Sequence, residues 1–417
     1  VIEEPKWWRW FAMLILVVGV VIRAWPWLSA PLLFFEDGAV FFSANYSQFE
    51  LSGLAKPYAG YVPFGANLCS LLLCRLPTAC IPTAFVVVAA AVQLAAGCSL
   101  LGRSWRAVAP FWVCGLLAAL IVLLPIASHL EFTTLAYMQW PMLCWLFLLL
   151  VEPQPATEVG GLRCCLRSAL VVFLTISHPL AVVLAPLAML RAVRVAQRLR
   201  WVAYAASLVG FAIIRWLLID GHGAPELAIS FMRMIECVPA LLIRVGLESL
   251  VGFDGWQWLL GCGTVIAFGA AVLCWITLAM LVRLAVRQWG GATRTFACAC
   301  GWFLFAPLAA SLLVRDICWD DPWIVRYLWL SRVAFLLVAT ICVTTLLPRW
   351  LVAALVIVLA TVLTNGNARF HRHATGAAEL RQFVGRLHAQ EQRDGHRRLI
   401  DERFVRDQQP PIMIRSH

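Results

Sequence analysis

Uncharged runs of about twenty apolar residues recur along this chain, and a helix of that length spans the hydrocarbon core of a bilayer. Such runs lie at 76–102, 107–128, 132–151, 168–190, 255–282 and 295–314, with shorter or interrupted ones at 10–30, 201–219, 324–347 and 350–364. Of the 417 residues 62% are hydrophobic and 13% charged, where soluble domains carry about 45–50% apolar and about 25% charged residues. The excess apolar surface needs an apolar solvent. That excludes an ordinary soluble domain and predicts an all-α polytopic membrane protein.

The formal charge of +11 does not point to nucleic acid, because most of the 33 basic residues sit in short loops between apolar runs. The preference for cytoplasmic Lys and Arg already explains them there. Only Lys6 and Lys56 are lysines, a usage that fits a high-GC bacterial genome as readily as selection for guanidinium chemistry. The 15 Cys lie mostly inside apolar runs, and neither Cys164-Cys165 nor Cys298 with Cys300 has the paired spacing of a zinc site. The run from Trp10 to Ile22 follows Lys6 and Arg9 without a small-residue cleavage site, so a retained anchor is expected.

Placing the basic loops in the cytoplasm (from Lys6, Arg103, Arg163, Arg191, Arg283 and Arg349) fixes a topology. Segment 10–30 goes out and 76–102 returns, leaving 31–75 as a large first external loop. Between Arg167 and Arg191 the chain must come back to the same side with only about 23 residues, too few for two full crossings. Ser177-His178-Pro179 is the expected break, because proline lacks a backbone donor and disfavours helix in the residue before it. Two half-helices then meet at His178, an arrangement tolerated in a membrane where it lines protein or a cavity. The alternative is one proline-kinked crossing. Residues 1–364 thus hold about eleven segments, two of them half-helices, and 365–417 form a polar basic tail.

Four polar clusters fall on the external side of this topology: Glu36-Asp37, Glu131, His178, and Asp316 with Asp320 and Asp321. Aromatic residues at helical spacing over 34–49 predict a helix lying in the interface plane, with Glu36 and Asp37 at its start. There they either cap free N–H groups or supply a general base, for which Asp37 is the choice. Tyr58 and Tyr61 belong to a Pro57–Tyr61 turn suited to holding aromatic faces against a sugar ring, or else to an interfacial aromatic belt. Glu131 is a helix cap or a second polar contact. Arg326, followed by Tyr327, is placed to grip a phosphate bidentately or to pair with the acidic loop before it. Intramembrane Arg23, Arg215 and Arg332 are costly in lipid and are expected to face the protein or to snorkel.

EDG at 36–38, PYAGY at 57–61, EFTTLAYMQW at 131–140, SHPLAVVLAPLAMLR at 177–191 and RY at 326–327 together resemble the GT-C superfamily of integral membrane glycosyltransferases. They are nearest to a poorly characterised bacterial family of that type. The resemblance implies a GT-C-like helical bundle in a bacterial cytoplasmic (inner) membrane. It also implies a polyprenyl-phosphate-linked sugar donor, a glycan or lipid acceptor, and reaction on the external face. Catalytic roles fall on Asp37, Glu36 and Glu131, and substrate contacts on Tyr58, Tyr61, Asn67, His178, Arg326 and Tyr327. In such relatives an Arg follows the tyrosine turn by a few residues, and here Asn67 stands about there. Some superfamily members use a divalent metal; Glu36, Asp37, Glu131 and His178 are the side chains able to ligate one. Two other readings stay open: a transporter or flippase of a lipid-linked or anionic solute, and an inactive scaffold.

The topology leaves the tail external, while its positive charge argues for the cytoplasm. With Pro410→Cys as the reporter and the unsubstituted chain as the background, extra labelling by a membrane-impermeant maleimide from outside is the expected result.

Overall fold

The computed structural model describes residues 7–29, 33, 37–42, 45, 46, 50–58, 61–124, 134–153, 161–192, 195–219, 238–314, 325–349, 351 and 352. For 26, 38, 39, 195–197, 214–219, 253, 254, 311–314 and 325–327 only the backbone is described. These residues are helical apart from turns and one isolated antiparallel bridge, Tyr58 with Tyr61. Expected segment 350–364 falls almost wholly outside them, and the tail does so entirely.

Four stretches are long and apolar enough to cross a membrane: Trp7–Trp25, Thr78–Leu101, Thr264–Ala285 and Leu328–Leu346. They belong to helices α1 (Trp7–Ser29), α3 (Ile81–Cys98, extended by a 3-10 turn at each end), α10 (Thr264–Ala285) and α12 (Val325–Leu346). Between them stand α8 (Val195–Ile219) and α11 (Gly291–Val314), the second with Pro307 inside it. The surface of α1 and α10 is apolar: Trp10 is 71% exposed, Ile22 68% and Val265 86%. That is how a helix looks when its solvent is lipid or another protein.

Several expected crossings are shorter than the apolar runs that suggested them. Run 107–128 gives α4, Phe111–Leu123, and run 132–151 gives α5, Gln139–Val151, each of 13 residues. At about 1.5 Å per residue each is about 20 Å long, well short of the ~30 Å hydrocarbon core. The apolar residues omitted from these helices are not all loop-like by composition; Leu124, Thr134 and Leu135 are buried. Burial in protein and burial in lipid leave the same hydropathy signal, so the run length overstates the helix.

The stretch 31–75 differs from a simple external loop. It contains a π turn at Asp37–Phe42, a 3-10 turn at Leu51–Ala55 and helix α2, Phe64–Leu73. Phe41, Phe42 and Tyr46 are buried, so these three members of the aromatic stripe pack into protein, and Phe34, Phe35 and Phe49 lie outside the described residues. A Cβ on Gly65 would meet the Met142 side chain at 2.7 Å and Ser177 Oγ at 3.0 Å, so this glycine lets α2 close on α5.

The proline break is where the sequence predicts it. Helix α6, Leu162–Ile176, stops at Ser177; His178 is extended (φ −143°, ψ 126°), and a 3-10 stretch Pro179–Leu184 leads into α7, Ala185–Arg191. Arg167 on α6 pairs with Glu152, beyond the C-terminal end of α5, while His178 packs on Trp140 at the other end. The chain then turns back: the Tyr204 hydroxyl donates to the carbonyl of Ala181, and Arg200, one turn earlier on α8, reaches the Leu149 carbonyl and Glu152. Arg23 faces protein as expected, donating to the Val122 carbonyl at 3.1 Å.

A second interruption was not predicted. Residues 238–262, outside any expected segment up to 254, form a π-helical stretch Ala240–Leu247 and α9, Glu248–Cys262, interrupted at Gly252, whose φ of +74° is a left-handed conformation suited to glycine. A Cβ on Gly246 would collide with the Trp275 indole, which itself donates to the Leu242 carbonyl at 3.3 Å. Gly246→Ala is therefore expected to destabilise the protein by about 1–3 kcal/mol through overpacking. Chemical unfolding in detergent should also find that Trp275→Leu offsets part of that loss in the double variant.

Candidate functional site

Most of the described residues singled out in the sequence gather around Leu135–Trp140, the turn and first residues of α5. Asp37, at the start of the π turn, is 2% exposed and accepts the N–H of Leu135 on Oδ2 and of Ala136 on Oδ1, both at 3.0 Å. The carboxylate thus ties down the turn that leads into α5 from a segment about a hundred residues earlier, satisfying two backbone donors there. Thr134 adds a local cap through Oγ1 to the Tyr137 N–H at 3.3 Å.

The tyrosine turn reaches the same place. Tyr58 and Tyr61 exchange backbone bonds of 2.7 and 3.1 Å, and the Tyr61 hydroxyl donates to Oε1 of Gln139 at 2.6 Å. The Tyr58 ring stands edge-on to Phe41 with centroids 6.1 Å apart. Asn67 lies on α2, buried, and its amide donates to the carbonyls of Leu54 and Lys56 at 3.2 and 3.0 Å. In this arrangement Asn67 holds the chain that leads into the tyrosine turn. Asn45 and Ser70, which the sequence reading passed over, join the π turn to α2: both donate to the Phe41 carbonyl, at 3.0 and 2.7 Å, and the Asn45 amide also donates to Ser70 Oγ at 3.1 Å.

His178 closes the group from the other side. It is 2% exposed, its Nδ1 accepts the Leu180 N–H at 3.0 Å, and its ring meets Trp140 edge-on with centroids 5.0 Å apart. Its Nε2 is buried without a hydrogen-bond partner among the described residues. Gln139 and Trp140 are the contacts that sequence reasoning missed, although both stand in the quoted run EFTTLAYMQW. Glu36 and Glu131 lie outside the described residues, as do Asp316, Asp320 and Asp321, and for Arg326 and Tyr327 only their place in the first turn of α12 is described. Among the described residues no group of three His, Cys, Asp or Glu side chains stands close enough to hold a metal ion.

Two further charged clusters flank this group. Beyond the C-terminal end of α5, Glu152 accepts from Ser104 Oγ at 2.5 Å and pairs with Arg167 at 3.3 Å and Arg200 at 3.6 Å. These partners come from three loops or helix starts that the basic-loop argument puts on one side, and here they meet at one end of the bundle. Elsewhere, Glu248 pairs with Arg244 at 2.9 Å and with Arg332 at 3.3 Å, Arg332 also reaches Ser249 Oγ at 3.3 Å, and the Arg244 guanidinium lies 4.8 Å over the Trp256 ring. All four polar side chains are buried. Arg332 was expected to face protein, but the partnership was missed. Its sequence signal was an Arg and a Glu four residues apart inside ALLIRVGLES, an otherwise apolar stretch.

Comparison with protein-family models, with curated proteins and with solved structures finds no match.

A buried carboxylate shared by two guanidinium groups is costly to remove, because each cation is left in a medium that cannot solvate it. Glu248→Gln is expected to cost about 3–5 kcal/mol of stability, seen as a lowered thermal midpoint in detergent. Adding Arg332→Met should recover part of the loss.

Proposed function

We propose that the chain is a polytopic helical membrane protein and, within that class, an inverting glycosyltransferase of the bacterial cytoplasmic membrane. It moves a hexosyl or pentosyl unit from a polyprenyl-phosphate donor to an envelope glycan or lipid on the external face. The observation that supports this reading best is the meeting of Asp37, Tyr58, Tyr61 and His178, taken from three separate stretches of sequence, at the head of α5, with Asn67 bracing the tyrosine turn. The Glu152 cluster, with the basic loops, lies at the far end of the same helix, about 20 Å away. If that end marks the cytoplasmic boundary, the polar group is reached from outside.

The chemistry follows from the carboxylate. Each Asp37 oxygen accepts one amide N–H. On this reading the carboxylate serves as the general base. The acceptor O–H gives its proton to Asp37 as its oxygen bonds the anomeric carbon, and the bond from that carbon to the phosphate oxygen breaks with its electron pair. Polyprenyl phosphate leaves as an anion. Arg326, at the start of α12, is the cation the resemblance offers for it.

The buried Arg244–Glu248–Arg332 group, beside an interrupted helix, is the observation that favours a transporter or flippase instead, since charged side chains on broken helices are a transporter habit. Purified protein in liposomes, offered polyprenyl phosphate and a panel of its sugar adducts, separates the two. The transferase reading predicts acceptor-dependent release of polyprenyl phosphate, reduced at least a hundredfold in Asp37→Asn, with a cooperative but lowered melting transition showing that the variant, which gives up one of the two amide bonds, is folded. Movement of the intact adduct between leaflets without release would favour the flippase, and binding without turnover the inactive scaffold.

A further inference from the structure

We propose that His178 is a fixed hydrogen-bond donor that reads an oxygen of the bound sugar, and that it acts through Nε2. The claim rests on the glycosyltransferase reading and assigns to this site its specificity for the sugar part of the donor. The first step is the tautomer. Nδ1 accepts the Leu180 N–H at 3.0 Å and therefore carries a lone pair, so in a neutral imidazole the proton is on Nε2. His178 is then a donor at Nε2, and it is not available there as a metal ligand while it caps the 3-10 stretch, because a ligating nitrogen must present its own lone pair.

The second step is burial. An N–H removed from water and left without an acceptor costs about 1–3 kcal/mol, and native proteins seldom leave one without a reason. Nε2 of His178 is buried with no hydrogen-bond partner among the described residues. The third step is placement. Asp37 is anchored on Leu135 and Ala136 and His178 on Trp140, so an anionic acceptor and a neutral donor are tied to points about one helical turn apart on the same short stretch. A hydroxyl is the group that both donates and accepts, and a molecule bearing several of them suits such a pair. A phosphate, which only accepts, does not need Asp37.

The two ring nitrogens allow a clean test. His178→Asn places an oxygen near the position of Nδ1, where it keeps the cap to Leu180, and removes the donor at Nε2. His178→Gln keeps an amide donor near the Nε2 position and gives up the cap. Affinity for a polyprenyl-phosphate sugar and for polyprenyl phosphate alone would be measured by titration into liposomes holding the wild type and each variant, with thermal melting alongside. The expected result is a loss of about tenfold to a hundredfold for the sugar adduct in His178→Asn, with polyprenyl phosphate unchanged and melting near wild type. His178→Gln should recover most of the adduct affinity while melting lower. Equal affinity of wild type and His178→Asn for the adduct overturns the proposal and leaves a buried water as the partner of Nε2. Equal weakening of both ligands moves the donor to the phosphate and overturns the assignment to the sugar. Wild-type protein that binds neither ligand overturns the transferase reading itself, and the sugar contact with it.

Discussion

A carboxylate withdrawn from water needs hydrogen-bond donors, and Asp37 finds them in the backbone of Leu135 and Ala136. Much around the head of α5 is arranged by that pair of bonds. They fasten the π turn to the turn that leads into α5, bring Phe41 and Phe42 into the core, and set the surface on which the tyrosine turn and His178 converge. A side chain gripped by two amides cannot swing. The sequence left open a cap at the start of its own segment or a general base, and the two bonds that Asp37 accepts run to a distant turn.

The opposite end of α5 is held by a different force. Glu152 collects Ser104, Arg167 and Arg200 into one cluster, and that cluster gives spatial meaning to the basic loops. α6 starts beside it and rises to His178, and the chain returns through Ala181 to the level of Arg200. The out-and-back course therefore has two anchors, one ionic and one aromatic. Near the upper anchor Gly65 removes the side chain that would keep α2 away.

Features with a local cause were legible in the sequence. The proline at 179 breaks the helix within a residue of where its chemistry says it must, the PYAGY turn closes on itself, and α1, α8, α11 and α12 match their apolar runs within a few residues. What escaped was set by distant partners. Asn67 reads as a polar residue placed for a ligand, yet its amide is spent on two carbonyls of a preceding loop. Arg332 reads as one isolated charge, and its partner Glu248 lies on an interrupted helix with no twenty-residue run to announce it. Hydropathy reports how much of a segment avoids water. It does not report whether lipid or protein receives it, which is why α4 and α5 were drawn too long.

The shortness of α4 carries an implication for how such a chain is made. Its carbonyls near the end are met by Gln93, which donates to Ile121 and Val122 at 3.0 and 3.1 Å, and by the Trp329 indole, which donates to Leu124 at 3.2 Å across 205 residues of sequence. Gln93 is synthesised before α4, but Trp329 emerges 205 residues after Leu124. The ribosome therefore delivers a 13-residue helix whose terminal carbonyl must wait for a donor that has yet to be made. Until α12 arrives to dry it, that end of α4 has to stay wet or borrow another donor.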